Sequence, residues 1–176
     1  MQQLDNSILL WIQENLRCDF LTAVLKPITI SGNGGFIFLA AVFFLLIFPK
    51  TRKTGMLCLC SLSLMLIVNN LILKNLIDRQ RPFVQITELV SLVSFPKDSS
   101  FPSGHSACAF AFAGTILFNC RKRFSIPALT FAFLMAFSRI YVGVHFLTDV
   151  IAGALTGFLL SFLVSRFYKK ICCKEH

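Results

Sequence analysis

Residues 102–119 read PSGHSACAFAFAGTILFN, and this stretch decides the fold. It opens on a polar cluster and continues as an almost unbroken apolar run. A bilayer-spanning helix needs roughly 17–25 mainly apolar residues, so the stretch qualifies as a span that begins at a chemically unusual end. Four further stretches have the same apolar character: 31–48, 55–73, 124–141 and 150–167. Some are short and must stand nearly upright or meet a thinned bilayer. The whole chain agrees: 56% of its 176 residues are hydrophobic, 14% are charged and 20 are Phe. Its mean hydropathy is +0.74. Soluble domains carry about 45–50% apolar and about 25% charged residues. A disordered chain, a collagen-like chain and a soluble globular enzyme are thereby excluded. What remains is an all-α, multi-pass membrane helix bundle forming one domain over residues 1–176.

The first 30 residues read differently. Leu4, Ile8, Leu9, Trp11, Ile12 and Leu16 recur at helical spacing, interleaved with Asp5, Gln13, Glu14 and Arg17. That pattern is an amphipathic helix lying in the membrane interface. Residues 20–30 are too short to span and contain Lys26 followed by Pro27. They form a re-entrant or interfacial segment, or join the preceding helix as a sixth span. The expected organisation is therefore interfacial or re-entrant helices in 1–30, a spanning core in 31–167 and a basic cytoplasmic tail in 168–176. Five spans are favoured over six. The opening residues lack the basic start and continuous apolar core of a secretory signal. No internal repeat, low-complexity tract or domain linker is present.

The net charge is +9, from 17 Lys and Arg against 8 Asp and Glu. In a soluble chain this would suggest nucleic acid. Here Lys50, Arg52, Lys53, Arg121, Lys122, Arg123, Arg166, Lys169, Lys170 and Lys174 fall in three regions that alternate onto one face. Lys and Arg concentrate in cytoplasmic loops, so that face is expected to be cytoplasmic. The opposite, outer face then carries the N-terminal segment, residues 74–101 and the turn at 143–148. The seven cysteines are odd in number and lack zinc-ligand spacing, so they read as free thiols rather than a disulfide framework. Cys172 and Cys173 are candidates for acylation in a eukaryotic host.

Three polar clusters gather on the outer face. The first runs from Lys74 to Arg81 and Pro82. The second is Pro102, Ser103, Gly104, His105. The third is Ser138, Arg139, then His145 and Asp149. Ionisable groups at membrane depth are costly and mark functional sites. Lys74, Arg81 and Arg139 together suit an anion with several oxygens, since Arg binds phosphate through two donors and Lys as a point charge. Ser103 caps a helix start, Gly104 lets backbone approach a ligand, and free helix N–H groups attract anions. His145 and Asp149 stand four residues apart, one helical turn. A carboxylate bonded to one imidazole nitrogen fixes the tautomer and frees the other nitrogen to attack. Taken singly, each residue has a structural explanation. Arg79 and Lys97 read as surface anchors, Asp78 and Asp98 as loop charge balance, and Asn69 and Asn70 as polar packing groups inside the bundle. A structural explanation fails only for the ordered ensemble.

Lys-x6-Arg-Pro, Pro-Ser-Gly-His and Ser-Arg-x5-His-x3-Asp, complete and in this order over residues 74–149, resemble the three signature motifs of the type 2 phosphatidic acid phosphatase superfamily. The resemblance implies a membrane lipid phosphatase. His145 would be the nucleophile that forms a phosphohistidine, Asp149 would orient it, and His105 would protonate the leaving oxygen. Lys74, Arg81, Ser103, Gly104 and Arg139 would hold the phosphoryl oxygens. No metal or other cofactor is implied, and neither nucleic acid nor an obligatory protein partner. The small size and short loops resemble bacterial cell-membrane members acting on undecaprenyl pyrophosphate or phosphatidylglycerophosphate. The expectation leans to undecaprenyl pyrophosphate, converted to undecaprenyl phosphate. The alternatives are a phosphatidylglycerophosphate or phosphatidate phosphatase, a lipid phosphotransferase and, outside enzymes, a small transporter or channel subunit.

Overall fold

The computed structural model describes residues 2–172 and, among them, contains helices and no strands. In chain order the helices are α1 (Gln2–Asn15), α2 (Asp19–Ser31), α3 (Phe36–Ile47), α4 (Arg52–Leu66), α5 (Lys74–Ile77), α6 (Pro82–Gln85), α7 (Gly104–Asn119), α8 (Lys122–Tyr141) and α9 (Leu147–Cys172). A 3₁₀ turn, Asn33–Gly35, links α2 to α3, and a π-helical stretch, Ile67–Leu73, links α4 to α5. Among the described residues three segments are long and apolar enough to cross a membrane: Arg52–Gln85, Lys122–Tyr141 and Leu147–Ile171. The bent pair α2–α3 is a fourth candidate, with 55° between its halves.

That bend differs from one of the alternatives left open by the sequence, in which residues 20–30 join the helix before them. The chain instead breaks at Arg17 and Cys18 and couples α2 forward to α3. The reason lies in Gly34 and Gly35, whose φ values of 60° and 72° belong to the left-handed region that glycine enters freely. α1 turns a stripe of Asp5, Leu9 and Ile12 into the bundle and leaves Leu4 and Trp11 exposed.

The core of the bundle is α7 against α9. Both helices present small residues where they meet. A Cβ on Gly153 would strike the carbonyl of Ser103, and one on Gly157 the carbonyl of Ala107. Small residues let membrane helices approach to backbone contact, where dispersion holds them. Most of the α7 surface is buried, from Ser106 to Ile116, by α4, α8 and α9. Thr115 adds a polar tie, its hydroxyl 2.8 Å from that of Ser61 in α4.

The three basic regions meet at one end. Thr54 Oγ1 lies 3.7 Å from Cys120 Sγ, Lys169 Nζ donates to the carbonyl of Phe118 at 2.9 Å, and Lys53 stacks 4.6 Å from the Tyr168 ring centre. The polar clusters lie at the opposite end. The five described cysteines whose side chains are placed, Cys18, Cys58, Cys60, Cys108 and Cys120, are free thiols. Cys173 and Lys174 lie outside the described residues, as does the Cys172 side chain. Gly157→Val should lower the thermal midpoint in detergent and cost roughly 1–3 kcal/mol, the usual range for overpacking. Leu155→Ala on the exposed side of α9 is the control, and equal midpoints for the two variants would count against backbone-contact packing.

Candidate active site

The sequence-predicted residues converge from four elements. The π-helical stretch ends on Lys74, and π-helical turns are frequent at functional sites. Within it Asn69 is fully buried and Asn70 exposed, so only Asn69 fills the interior role expected of both. Ser103 caps α7, its hydroxyl accepting from the Ser106 amide at 3.5 Å. Its own amide donates to the carbonyl of Asp149 at 3.0 Å, which ties the start of α7 to the start of α9. Arg139 ends α8. His145 sits in the turn before α9, and Asp149 lies in the first turn of that helix.

His145 is 2% exposed. Its Nδ1 donates to the carbonyl of Ser100 at 2.8 Å, and its Nε2 lies 3.3 Å from Nη1 of Arg81. Nδ1 therefore carries the proton, and the Nε2 lone pair faces the cations. Asp149 Oδ2 is 3.7 Å from Nδ1, too far for the direct bond expected from the four-residue spacing. That oxygen is occupied by the Ser100 hydroxyl at 2.5 Å and the Phe146 amide at 2.9 Å. Asp149 thus supports His145 electrostatically and through Ser100. Burial pushes the His145 imidazole below its ordinary range, to about 4; Asp149 opposes this, and Arg139 and Arg81 reinforce it. The ring is neutral at physiological pH.

His105 Nε2 lies 3.1 Å from Oδ1 of Asn33 in the α2–α3 bend, and His105 sits in the field of Arg139, His145, Arg81 and Lys74. Arg139 is 3% exposed. Its Nη1 donates to the Thr29 hydroxyl, while its Nε has no partner among the described residues. A buried, unpaired guanidinium N–H is where an anionic ligand would bind.

Asp98 is the unexpected occupant. Its carboxylate pairs with Lys74 and, at 2.7 Å, with Nη2 of Arg81, while its carbonyl accepts from Arg81 Nε at 2.8 Å. Sequence reasoning took it for loop charge balance. Burial works against the charged form, yet Lys74 and Arg81 prevail and hold the carboxyl at about 2. Two of the three cations expected to bind phosphate are therefore already satisfied by an internal anion.

Arg79 is the residue that sequence reasoning missed. Taken for a surface anchor, it donates from Nη1 to Asp149 Oδ1 at 2.6 Å and from Nη2 to Asp5 Oδ2 at 2.8 Å. Its guanidinium also lies 4.0 Å from the Phe146 ring centre. Its position two residues before Arg81 was the available signal, since three cations in eight residues exceed what anchoring needs. No group of three or more His, Cys, Asp or Glu suited to a metal forms among the described residues.

Two cavities open among these residues, the first of them beside His105. One, of about 330 Å³, runs from Lys74 and His105 to an apolar end at Phe38, Leu62, Met65 and Leu66. The other, of about 580 Å³, is bounded by Thr29, Asn33, Arg139 and the loop Ser91–Pro96.

The PAP2 superfamily model matches residues 55–172, which contain every one of these motif residues. The chain belongs to the PAP2 superfamily. It is 35% identical to an undecaprenyl-diphosphatase from Sulfolobus acidocaldarius over 73% of this chain and 62% of that protein. It is 41% identical to phosphatidylglycerophosphatase B from Bacillus subtilis over 58% of this chain and 52% of that protein. The chain thus spans about half to three fifths of the length of these relatives. Its fold matches the crystal structure of a transmembrane PAP2 type phosphatidylglycerolphosphate phosphatase from Bacillus subtilis. That match has a TM-score of 0.80 and 32% identity over 97% of this chain and 87% of that one.

Asp98→Asn should tighten binding of inorganic phosphate or vanadate. The carboxylate is 53% exposed, so each ion pair is solvent-screened and the gain is roughly two- to fivefold. Weaker binding in titrations of the folded variant would mean that Asp98 serves to hold Arg81 rather than to compete with the ligand.

Proposed function

We propose that the protein is an integral membrane lipid phosphatase that removes a terminal phosphate through a phosphohistidine on His145. The observation that carries this reading is the His145 Nε2 lone pair, buried, neutral and directed at Arg81, with the unpaired Nε of Arg139 also close. A phosphate entering this space exchanges Asp98 for its own oxygens on Lys74 and Arg81 and takes the free donor of Arg139. Ser103 and Gly104 at the N-terminus of α7 contribute the helix-end field. Nε2 then attacks phosphorus in line with the leaving oxygen, and protonated His105 gives that oxygen its proton. The cationic phosphohistidine is balanced by Asp149. Water attacks the phosphohistidine next, with His105 accepting its proton, and phosphate leaves. The three cations stabilise the equatorial charge that metal ions stabilise in other phosphoryl-transfer sites.

The leaning in substrate is to undecaprenyl pyrophosphate, which the similarity to the Sulfolobus enzyme over most of the chain supports. The similarity to phosphatidylglycerophosphatase B favours a glycerolipid phosphate as the second reading. Both are lipids with a terminal phosphate, and the cavity joining Lys74 and His105 to an apolar end suits either. The basic loops at the far end of the bundle support an outward-facing site under the positive-inside rule.

Phosphate release in detergent with a chelator present, from undecaprenyl pyrophosphate, phosphatidylglycerophosphate and phosphatidate, tests the reading. Turnover should persist under the chelator, fall to the blank in His145→Ala and be inhibited by vanadate. Folded His145→Ala with wild-type turnover would remove His145 from the nucleophile's role. The pH profile has a stated sign. His145 attacks only when neutral, and its lowered pKa keeps it neutral until pH falls to about 4. The acid limb of kcat/KM, which reports the free enzyme, should therefore lie near pH 4 once the substrate's own ionisation is allowed for. An acid limb at the ordinary imidazole pKa would contradict the assignment of His145.

A further inference from the structure

We infer that Asp5, in the amphipathic helix α1, is a positioning residue for the phosphoryl transfer, acting through Arg79 on Asp149. The inference rests on the phosphohistidine reading above. Asp5 is 2% exposed, although it lies on a helix whose sequence suggested an interfacial polar face. Its Oδ2 accepts from Nη2 of Arg79 at 2.8 Å and from the Thr148 hydroxyl at 2.6 Å, and its Oδ1 accepts from the Thr148 amide at 3.2 Å. Arg79 Nη1 donates at 2.6 Å to Asp149 Oδ1, the oxygen turned away from Ser100, and at 2.7 Å to the Thr148 hydroxyl. One guanidinium is therefore shared between two buried carboxylates, one from α1 and one from the catalytic turn.

Anchoring α1 does not require this arrangement. Leu9 and Ile12 already bury the same face of the helix, and an apolar residue at position 5 would avoid the desolvation cost of a carboxylate. The arrangement does change what Asp149 delivers. Paired with Arg79 alone, Asp149 would be neutralised from the side opposite His145. With Asp5 drawing on the same guanidinium, the trio keeps one net negative charge, and Asp149 remains effective toward the positive charge that develops on His145. The fork of Arg79 also fixes the rotation of the Asp149 carboxylate, so that Oδ2 faces Ser100 and the Phe146 amide. Lys74, Arg81 and Arg139 are not part of this chain of contacts, so the phosphate-binding cations are left as they are.

The test is steady-state kinetics of full-length variants in detergent, with undecaprenyl pyrophosphate and with phosphatidylglycerophosphate as probes. Asp5→Asn should lower kcat roughly 10- to 100-fold, the usual scale for groups that orient a ligating or reacting residue, with KM within about twofold. Asp5→Glu should restore most of the loss. Leu9→Ala, in the same helix and buried, should lower the thermal midpoint and leave kcat near wild type. Arg79→Lys keeps a positive charge but loses the planar fork whose two nitrogens hold the two carboxylates in fixed orientation, and should show the kcat defect of Asp5→Asn. It decides the matter if Asp5→Asn does not purify folded. Wild-type kcat in folded Asp5→Asn or Arg79→Lys would overturn the inference. So would a kcat loss in Leu9→Ala equal to that of Asp5→Asn. His145→Ala separates the two levels of argument. If it retains turnover, or if wild type hydrolyses neither lipid, the phosphohistidine reading fails and the inference with it. If His145→Ala is inactive while Asp5→Asn turns over normally, only the role of Asp5 fails.

Discussion

The candidate active site depends on how closely α7 and α9 approach. Glycines at 153 and 157 leave no side chain between the helices, so the carbonyls of Ser103 and Ala107 lie against the α9 backbone. This contact brings the Ser103 amide to the carbonyl of Asp149 at 3.0 Å and sets two helix starts side by side. One of those starts carries Ser103, Gly104 and His105. The other carries Asp149 and the turn with His145. Neither start would face the other across an ordinary packing distance of 8–10 Å between axes. The apolar bundle thus sets the geometry of the proposed catalytic groups as well as supplying membrane anchorage.

Around this joint, buried charge is managed by pairing. Isolated ions at membrane depth are costly, and removing one partner of a buried pair leaves the other uncompensated. Arg79 is held by Asp5 and Asp149, and Arg81 by Asp98 and two backbone carbonyls. Arg139 stands apart: it has the Thr29 hydroxyl and an Nε without a partner among the described residues. The two kinds of arginine differ in what a ligand can take from them. The bonds of Arg79 are locked among groups that are almost fully buried, whereas those of Arg81 and Lys74 end on a half-exposed carboxylate that can move aside.

The family, the helical class and the polar clusters were legible in the sequence because they are carried by local order: apolar runs of bilayer length, and polar residues at fixed spacings beside them. Lys74, Arg81, Ser103, His105, Arg139, His145 and Asp149 all stand at or next to helix ends, as the spacing implies. What the sequence hid depends on distant contacts. Arg79 meets Asp5 across 74 positions and Asp149 across 70, and although the nearby cations hint at Arg79, no local pattern names these partners. Ser100 is hidden for the same reason, since it reaches His145 and Asp149 from a loop with no periodicity. The α2–α3 bend was missed for a different reason. Lys26 and Pro27 are the residues that stand out in this segment, yet the helix runs through both, and the turn comes later at Gly34 and Gly35.

The placement of α2–α3 has a consequence for how substrate meets the catalytic groups. The bend carries Asn33, which contacts His105, and its glycines line the cavity that also contains Lys74 and the apolar residues Phe38, Leu62 and Met65. One wall of the space is therefore membrane-facing helix, and the other is the charged end of the bundle. In the proposed function, an amphiphile with a phosphate head would satisfy both walls at once, its tail among the apolar residues and its oxygens replacing Asp98. A soluble phosphate ester would satisfy only the charged wall and would leave the apolar one unfilled. The same asymmetry explains why the bend lies at this end of the bundle. A straight α2–α3 helix would move Asn33 away from His105 and remove the residue nearest its ring nitrogen at the point where the head group enters.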